Sequence, residues 1–243
     1  MMDETFCRLA RVIGADALER LKNAHVVLFG VGGVGGFAAE ALARSGVGEI
    51  TLIDGDDVAR SNINRQVIAL NSTIGRSKVE VARERLLDIN PNMRVNALQQ
   101  VFLPGGEVPF GKDVSYVIDA IDTVAAKVEL VRVCREMDVP LISCMGTGNK
   151  LDPTLLRVSD IFSTEVCPLC RVMRHELRKR GIDRLKVVYS PEPPRTPIDD
   201  GEQVQASRRS VPGSTMFVPP VAGIMLAREV VLSIVGDVLA DAR

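Results

Sequence analysis

Tryptophan is absent from this 243-residue chain, and aromatic residues make up only 4% of it. Any core must therefore be built from Val, Leu, Ile and Ala, and an apolar fraction of 46% is enough to build one. Histidine is scarce too. His25 and His175 stand apart, in no metal or triad pattern, and both read as structural residues. A surplus of charge is also missing. The formal net charge of −1 excludes a global field pulling the chain to nucleic acid or membrane, so a polyanionic partner has to dock on a local basic patch. Five cysteines, an odd number at irregular spacings, exclude a disulfide framework and fit reduced thiols in a cytosol. The N-terminus, MMDETFCRLARVIGADALERL, carries acids and no apolar h-region, so it does not read as a signal peptide. The longest apolar stretch, Met216 to Met225 and on to Val235, is broken by Pro219, Pro220, Arg228 and Glu229. It reads as a buried helix after a turn, not as a membrane span. These absences leave a soluble cytoplasmic protein of one large domain, or one domain with an appendage.

What is present has a regular order. Asp16 to Lys22 predicts a short helix. His25 to Phe29 (HVVLF) is an apolar run of strand length, followed at once by Gly30, Gly32, Gly33, Gly35 and Gly36. Phe37 to Arg44 then predicts a helix, and Glu49 to Ile53 (EITLI) a second strand that stops at Asp54. Further strands are expected over 94–98, 114–118 and 140–144, with helices over 76–89 and 124–137 between them. Strands apolar throughout and alternating with helices predict an α/β fold: a Rossmann-like, mainly parallel sheet with helices on both faces. Residues 1–150 form the nucleotide-binding core of this single unit, and 151–243 a C-terminal extension on the substrate side. There a strand over 155–159 and helices over 167–180 and 218–239 are expected, with a mobile loop near 190–214, where Pro, Gly, Ser and charge concentrate.

Gly30-Val-Gly-Gly-Val-Gly35 sits between a strand and a helix, where a phosphate-binding loop must sit. Glycines let the backbone turn tightly against a phosphate, and the N–H groups and positive dipole end of the helix face the anion. Asp54, at the end of the next strand, is placed to bind ribose hydroxyls. The motif alone is compatible with NAD. The following residues argue against hydride transfer: Asp54-Gly-Asp56-Asp-Val-Ala-Arg-Ser-Asn62-Ile-Asn64-Arg65-Gln66, then Lys78. An arginine and a lysine beside the phosphates suit an enzyme that breaks a nucleoside triphosphate, where charge gathers on the leaving group. Asp122, just past the strand that ends at Asp119, is a candidate Mg2+ ligand that bridges to phosphate. Asp122 or Thr123 could also cap the helix that follows.

GVGGVGG, LIDGDDVARSNINRQ, GRSKVE and VIDAIDT, in that order and spacing, resemble the adenylating superfamily of ubiquitin-activating and sulfur-carrier-activating enzymes. Within it, RLARVIG, ALARSGVGEITLID, INPNMRV and LDPTLLRVSDI are most similar to the bacterial tRNA threonylcarbamoyladenosine dehydratases. The resemblance covers about residues 6 to 165. It implies ATP as cosubstrate, with the ribose on Asp54 and the phosphates on Arg65 and Lys78. Asn62 and Gln66 shape the same pocket, and Asp122 holds magnesium. It also implies a homodimer, with Arg11 reaching the partner subunit's ATP. The implied reaction activates the threonyl carboxylate of the modified adenosine as an acyl-adenylate; attack from the same side chain expels AMP and closes a ring. Intramolecular attack has a high effective concentration, so no enzyme thiol is needed.

The cysteines test between relatives. A structural zinc needs four protein ligands, and sulfur-carrier-activating enzymes commonly supply two CxxC pairs. Here Cys167-Pro-Leu-Cys170 is followed by no second pair. Whether that pair binds metal stays open, as does a catalytic role for Cys144. Cys134 is expected as a small buried thiol. Residues 171–186 hold seven Arg or Lys against two acids. Arg171, Arg174 and Arg178, with Lys179, recur at helical spacing as a strip that could contact tRNA phosphates or simply be solvated. The alternatives are adenylation of the C-terminal carboxylate of a ubiquitin-like sulfur-carrier protein, and a nucleotide sensor without chemistry.

Overall fold

The computed structural model describes residues 4–196, 198 and 212–236. Two short helices, α1 (Cys7–Ile13) and α2 (Ala15–Lys22), lead into β1 (His25–Phe29), α3 (Gly35–Arg44) and β2 (Glu49–Ile53). Then come α4 (Lys78–Ile89), β3 (Arg94–Leu98), β4 (Tyr116–Asp119), α5 (Val124–Met137) and β5 (Leu141–Cys144). The chain continues through β6 (Arg157–Asp160), α6 (Pro168–Lys179), β7 (Lys186–Tyr189) and α7 (Val218–Val235).

The seven strands form one sheet in the order β3-β2-β1-β4-β5-β7-β6, parallel except for β6, which runs antiparallel to β7 at the edge. The α/β architecture expected from the sequence is therefore present. From β1 the chain builds outward through β2 and β3, then returns to β1's other side with β4 and β5. The order reverses between β1 and β4, and in open α/β sheets ligands bind in the crevice beyond the carboxyl ends of the strands at such a point.

Alternation along β1 divides the core. Val26 and Leu28 face Ala38, Leu42 and the α7 residues Ala222, Leu226 and Val230. Val27 and Phe29 face Val117, Ala126, Leu130 and Cys134. Helix α6 closes the far end of that second face, with Cys170, Met173 and Leu177 against Val187 and Tyr189. Helix α7 is long and apolar enough to cross a membrane by length and composition alone. In this fold Val218, Ala222, Leu226 and Val230 are wholly buried. Its tight fit on α3 depends on Gly223, where a Cβ would lie 2.2 Å from the Val34 carbonyl oxygen.

Strands β1, β2 and β3 and helix α5 fall where the sequence places them. β4 is displaced, to Tyr116–Asp119 from 114–118. Asp119 stays in the ladder opposite Phe29 and Ser143 because an ion pair with Lys127 lets its charge be buried. Helix α7 stops at Val235, before Gly236 at φ +47°, while residues 237–239 lie outside the described region. Helix α1 and strand β7 were not anticipated. For the loop expected near 190–214, residues 197 and 199–211 lie outside the described residues. Its flanks are held. Ser190 is buried, the Glu192 carboxylate accepts from the backbone N–H of Leu151 and Asp152, and Arg195 N–H donates to the Asn149 carbonyl.

Candidate active site

The glycine loop leaves β1 at Gly30, which has φ +88°, and enters α3 at Gly35, where a Cβ would sit only 1.8 Å from the Gly30 carbonyl oxygen. No side chain fits there, so the N-terminus of α3 comes hard against the loop, as a phosphate site requires. Asp54 holds this loop: its Oδ2 accepts from Val31 N–H at 2.7 Å and its Oδ1 from Asp56 N–H at 2.9 Å. Lys78, at the start of α4, places Nζ 2.7 Å from Asp56 Oδ2 and 3.9 Å from Asp54 Oδ1. The Lys78 side chain is only 7% exposed, whereas that of Asp56 is 71% exposed.

The segment after β2 folds back over the loop. A Cβ at position 33 would lie 3.3 Å from Arg65 Cγ, and one at position 32 would lie 3.8 Å from Gln66 Nε2. Arg65, Gln66, Gly32 and Gly33 are thus brought together. Gln66 Oε1 is buried without a hydrogen-bond partner among the described residues. An orphaned buried acceptor is costly unless something else satisfies it, and a nucleotide hydroxyl or amine donor fits that need. Asn62 is buried and its side chain works locally, with Oδ1 accepting from Ala59 N–H at 3.0 Å. Its part in the pocket is to shape the turn that carries Arg65 and Gln66, both of whose N–H groups bond the Asn62 carbonyl.

Across the crevice, the Ala120 carbonyl abuts Gly30, and Asp122 lies two residues further on. The two acids that close β4 differ. Asp119 is wholly buried against Lys127, with Nζ 2.9 Å from each carboxylate oxygen. Asp122 is exposed, and its Oδ1 accepts from the Thr123 hydroxyl at 3.2 Å. Its carboxylate keeps lone pairs for a hydrated cation, which suits Mg2+, an ion usually held by one or two carboxylates together with substrate phosphates. Thr123 occupies the N-cap position of α5 without a side-chain cap bond, so neither it nor Asp122 caps that helix. Arg11 is exposed on α1.

The thiols are less suited to catalysis. Cys144 is buried, its Sγ faces the Met145 carbonyl at 3.4 Å, and burial pushes its thiol up to about 12. Cys134 is likewise pushed up to about 12, by burial and then by Asp119. Such groups are protonated and poor nucleophiles at neutral pH. Cys167 and Cys170 are buried at the start of α6. Hydrogen bonding from Cys170 holds the Cys167 thiol below the usual thiol range. No cluster of three or more metal-ligating side chains occurs among the described residues.

The basic strip of α6 is not uniform. Arg174 turns inward: its Nη1 donates to the Thr164 carbonyl at 3.0 Å and to the Thr164 hydroxyl, holding the turn after β6. Arg174 thus braces this turn through Nη1, unlike the other basic residues of the strip. Arg171 is exposed, Arg178 lies over the Phe162 ring at 5.2 Å, and Lys179 pairs with Glu176 at 3.0 Å. Sequence reasoning missed the Asp119–Lys127 pair. The only trace of it was a lysine eight residues past a strand-ending acid, a spacing indistinguishable from a solvated helix face.

The ThiF family model matches residues 6–240. The chain is 43% identical over 242 residues to the tRNA threonylcarbamoyladenosine dehydratase of Bacillus subtilis, covering 96% of this chain and 95% of that one. The Escherichia coli protein of the same name is 40% identical over 210 residues, covering 82% and 77%. Among solved structures, TcdA (CsdL) superposes with a TM-score of 0.88 at 35% identity, covering 99% of this chain and 96% of that one. The E. coli TcdA complex with ATP gives 0.82 at 34% identity, covering 98% and 95%. The chain belongs to the ThiF family.

Proposed function

We propose that this enzyme uses ATP to activate the carboxylate of N6-threonylcarbamoyladenosine in tRNA, and that ring closure within the modified side chain then releases AMP and water is lost overall. The observation that carries it is the convergence of Lys78, Arg65 and Gln66 Oε1, which has no partner among the described residues, on a glycine loop with no room for a Cβ at Gly30 or Gly35. The 43% identity to the B. subtilis dehydratase along nearly the whole chain supports the choice of substrate.

In this mechanism the α3 N-terminus and the glycine loop receive the phosphates, and Asp54 receives the ribose. A substrate carboxylate oxygen attacks the α-phosphorus and pyrophosphate leaves. Lys78 can exchange the exposed Asp56 for the phosphates, and Arg65 offers its guanidinium to the negative charge developing on the leaving group. Asp122 would hold magnesium, which when bound neutralises phosphate charge. The acyl-adenylate carbonyl is then attacked from within its own side chain, so the buried Cys144 has no part to play. Arg171, Arg178 and Lys179 offer a phosphate-contacting edge for tRNA, with Arg174 bracing it from behind. A homodimer fits the exposed apolar residues Val12, Met216, Phe217 and Ile224, and places Arg11, beside Val12, toward a partner's site. A cytosolic location follows from a tRNA substrate.

The test is AMP and pyrophosphate release by the purified protein with Mg2+, with and without tRNA carrying threonylcarbamoyladenosine. AMP release that requires this tRNA, with loss of one water from the nucleoside, is expected. ATP–pyrophosphate exchange driven instead by a sulfur-carrier protein would overturn the substrate and leave the nucleotide site in place.

A further inference from the structure

Three segments far apart in sequence meet beside Arg65. Its Nη1 donates to the Ser61 carbonyl and to Asn64 Oδ1, both at 2.8 Å. The Asn64 amide, on its other side, donates from Nδ2 to the Ser214 carbonyl at 2.9 Å. The neighbouring Gly213 is gripped at both ends by one residue: its N–H donates to Asn149 Oδ1 at 2.7 Å, and its carbonyl accepts from Asn149 N–H at 2.8 Å. The Asn149 carbonyl in turn accepts from Arg195 N–H at 2.8 Å. Asn149 follows β5 and has φ +59°, a left-handed conformation that Asn tolerates better than most residues.

We propose that Asn64 and Asn149 are positioning residues for Arg65, acting through the Gly213–Ser214 segment. This rests on the phosphate-contacting role given to Arg65 above. An amide suits the task. Only a group carrying both an acceptor and a donor can take a hydrogen from a guanidinium and pass one to a carbonyl, and Asn64 does both. Both hydrogens of Arg65 Nη1 are used within the protein. The edge formed by Nε and Nη2 makes no hydrogen bond among the described residues, and it is the planar fork that meets an anion with two parallel bonds. Fixing Nη1 thus sets the angle at which that fork faces a phosphate, without spending any donor on the ligand's side. The segment that carries Asn149 ends at Lys150, whose buried Nζ donates to the Ser190 carbonyl at 2.7 Å. The anchor at the far end of the chain of contacts is therefore seated on the core and is not itself loose.

The design of the test follows from the backbone angle. Asn149→Gly keeps the left-handed conformation and both main-chain bonds and removes only Oδ1. Asn149→Asp retains an acceptor at the same place. For the full-length protein with its tRNA substrate, Asn149→Gly is expected to lower kcat for AMP release roughly three- to tenfold, the scale of one lost hydrogen bond. The KM for ATP should change little, and Asn149→Asp should restore kcat. Asn64→Asp keeps the acceptor for Arg65 but loses the donor to Ser214, and should behave like Asn149→Gly. Coupling to Arg65 is read in an Arg65→Lys background, where the fork is gone; there Asn149→Gly should change kcat less than twofold. An equal loss in both backgrounds, or a lowered melting temperature that Asn149→Asp does not rescue, would overturn the proposal. Arg65→Lys with unimpaired turnover would instead overturn the phosphate role of Arg65, a separate failure.

Discussion

The carboxyl ends of β2 and β4 each present a lysine against an acid, and the two pairs serve opposite ends. At β4, Lys127 and Asp119 are both 0% exposed and each satisfies the other. At β2, Lys78 is nearly buried but its closest partner, Asp56, stands in solvent. Removing charges from water is costly, and a sealed pair must recover that cost by its own geometry. A half-open pair leaves one member free to change partners, since water can take up the released carboxylate at little cost. The same motif, a lysine on a helix reaching back to a strand end, therefore gives a rivet in one place and, in the proposed mechanism, a phosphate receiver in the other.

Three variants sharpen that contrast. Lys127→Ala strands a buried carboxylate and should lower unfolding free energy by about 3–5 kcal/mol, read by denaturant titration. Replacing Asp119 and Lys127 together by Leu and Met should recover most of that loss. Lys78→Ala should leave stability within about 1 kcal/mol while cutting tRNA-dependent AMP release by at least about 10²-fold. If Lys78→Ala unfolds the protein and Lys127→Ala does not, the assignment of rivet and receiver is reversed.

A smaller version of the contrast lies on α6. Arg174→Ala loses bonds to Thr164 and should cost about 1–3 kcal/mol of stability. Arg171→Glu with Arg178→Glu should leave stability almost unchanged and weaken tRNA binding several-fold, with a shallower dependence on salt. Equal loss of RNA binding in a folded Arg174→Ala protein would return Arg174 to the phosphate-facing edge.

The smallest effect is set by pH. Burial pushes the Glu40 carboxyl up, but bonds from Arg85 and Arg44 outweigh it and hold the group below its ordinary 4.5. A carboxylate depressed in the folded state stabilises above its unfolded value, and that contribution is lost as pH falls through the folded value. Glu40→Gln should therefore be less stable than the unaltered protein by about 1 kcal/mol at neutral pH, given the exposure of both arginines. The gap should narrow as pH falls below the ordinary 4.5, which guanidine titrations at two pH values would read.

Much of this was legible in the sequence, for a physical reason. Gly30 to Gly35, Asp54, Arg65, Gln66 and Lys78 lie on consecutive turns of a local βαβ unit, so spacing along the chain maps onto spacing in the site. What was not legible depends on partners distant in sequence. Arg174 looked like one of three equivalent arginines until Thr164 drew it inward. β7 is only four residues, Lys186 to Tyr189, beside a proline-rich stretch that masks it, although its Val-Val-Tyr run is strand-like. The contacts of Asn149 with Gly213 and Arg195 leave no pattern at all, since any Asn after a strand looks like a turn.

The fit of α7 on α3 has a consequence for how the molecule comes into being. Gly223 lies against the Val34 carbonyl and near the Ala38 nitrogen, so the glycine loop is braced from behind by a helix encoded about 170 residues after α3 ends. At a synthesis rate of roughly 5–20 residues per second, Ala38 and Leu42 emerge about ten seconds or more before their cover. Through that interval the nascent chain carries a finished glycine motif on an unfinished surface. The apolar face of α3 is covered only once Val218 and the residues after it are made.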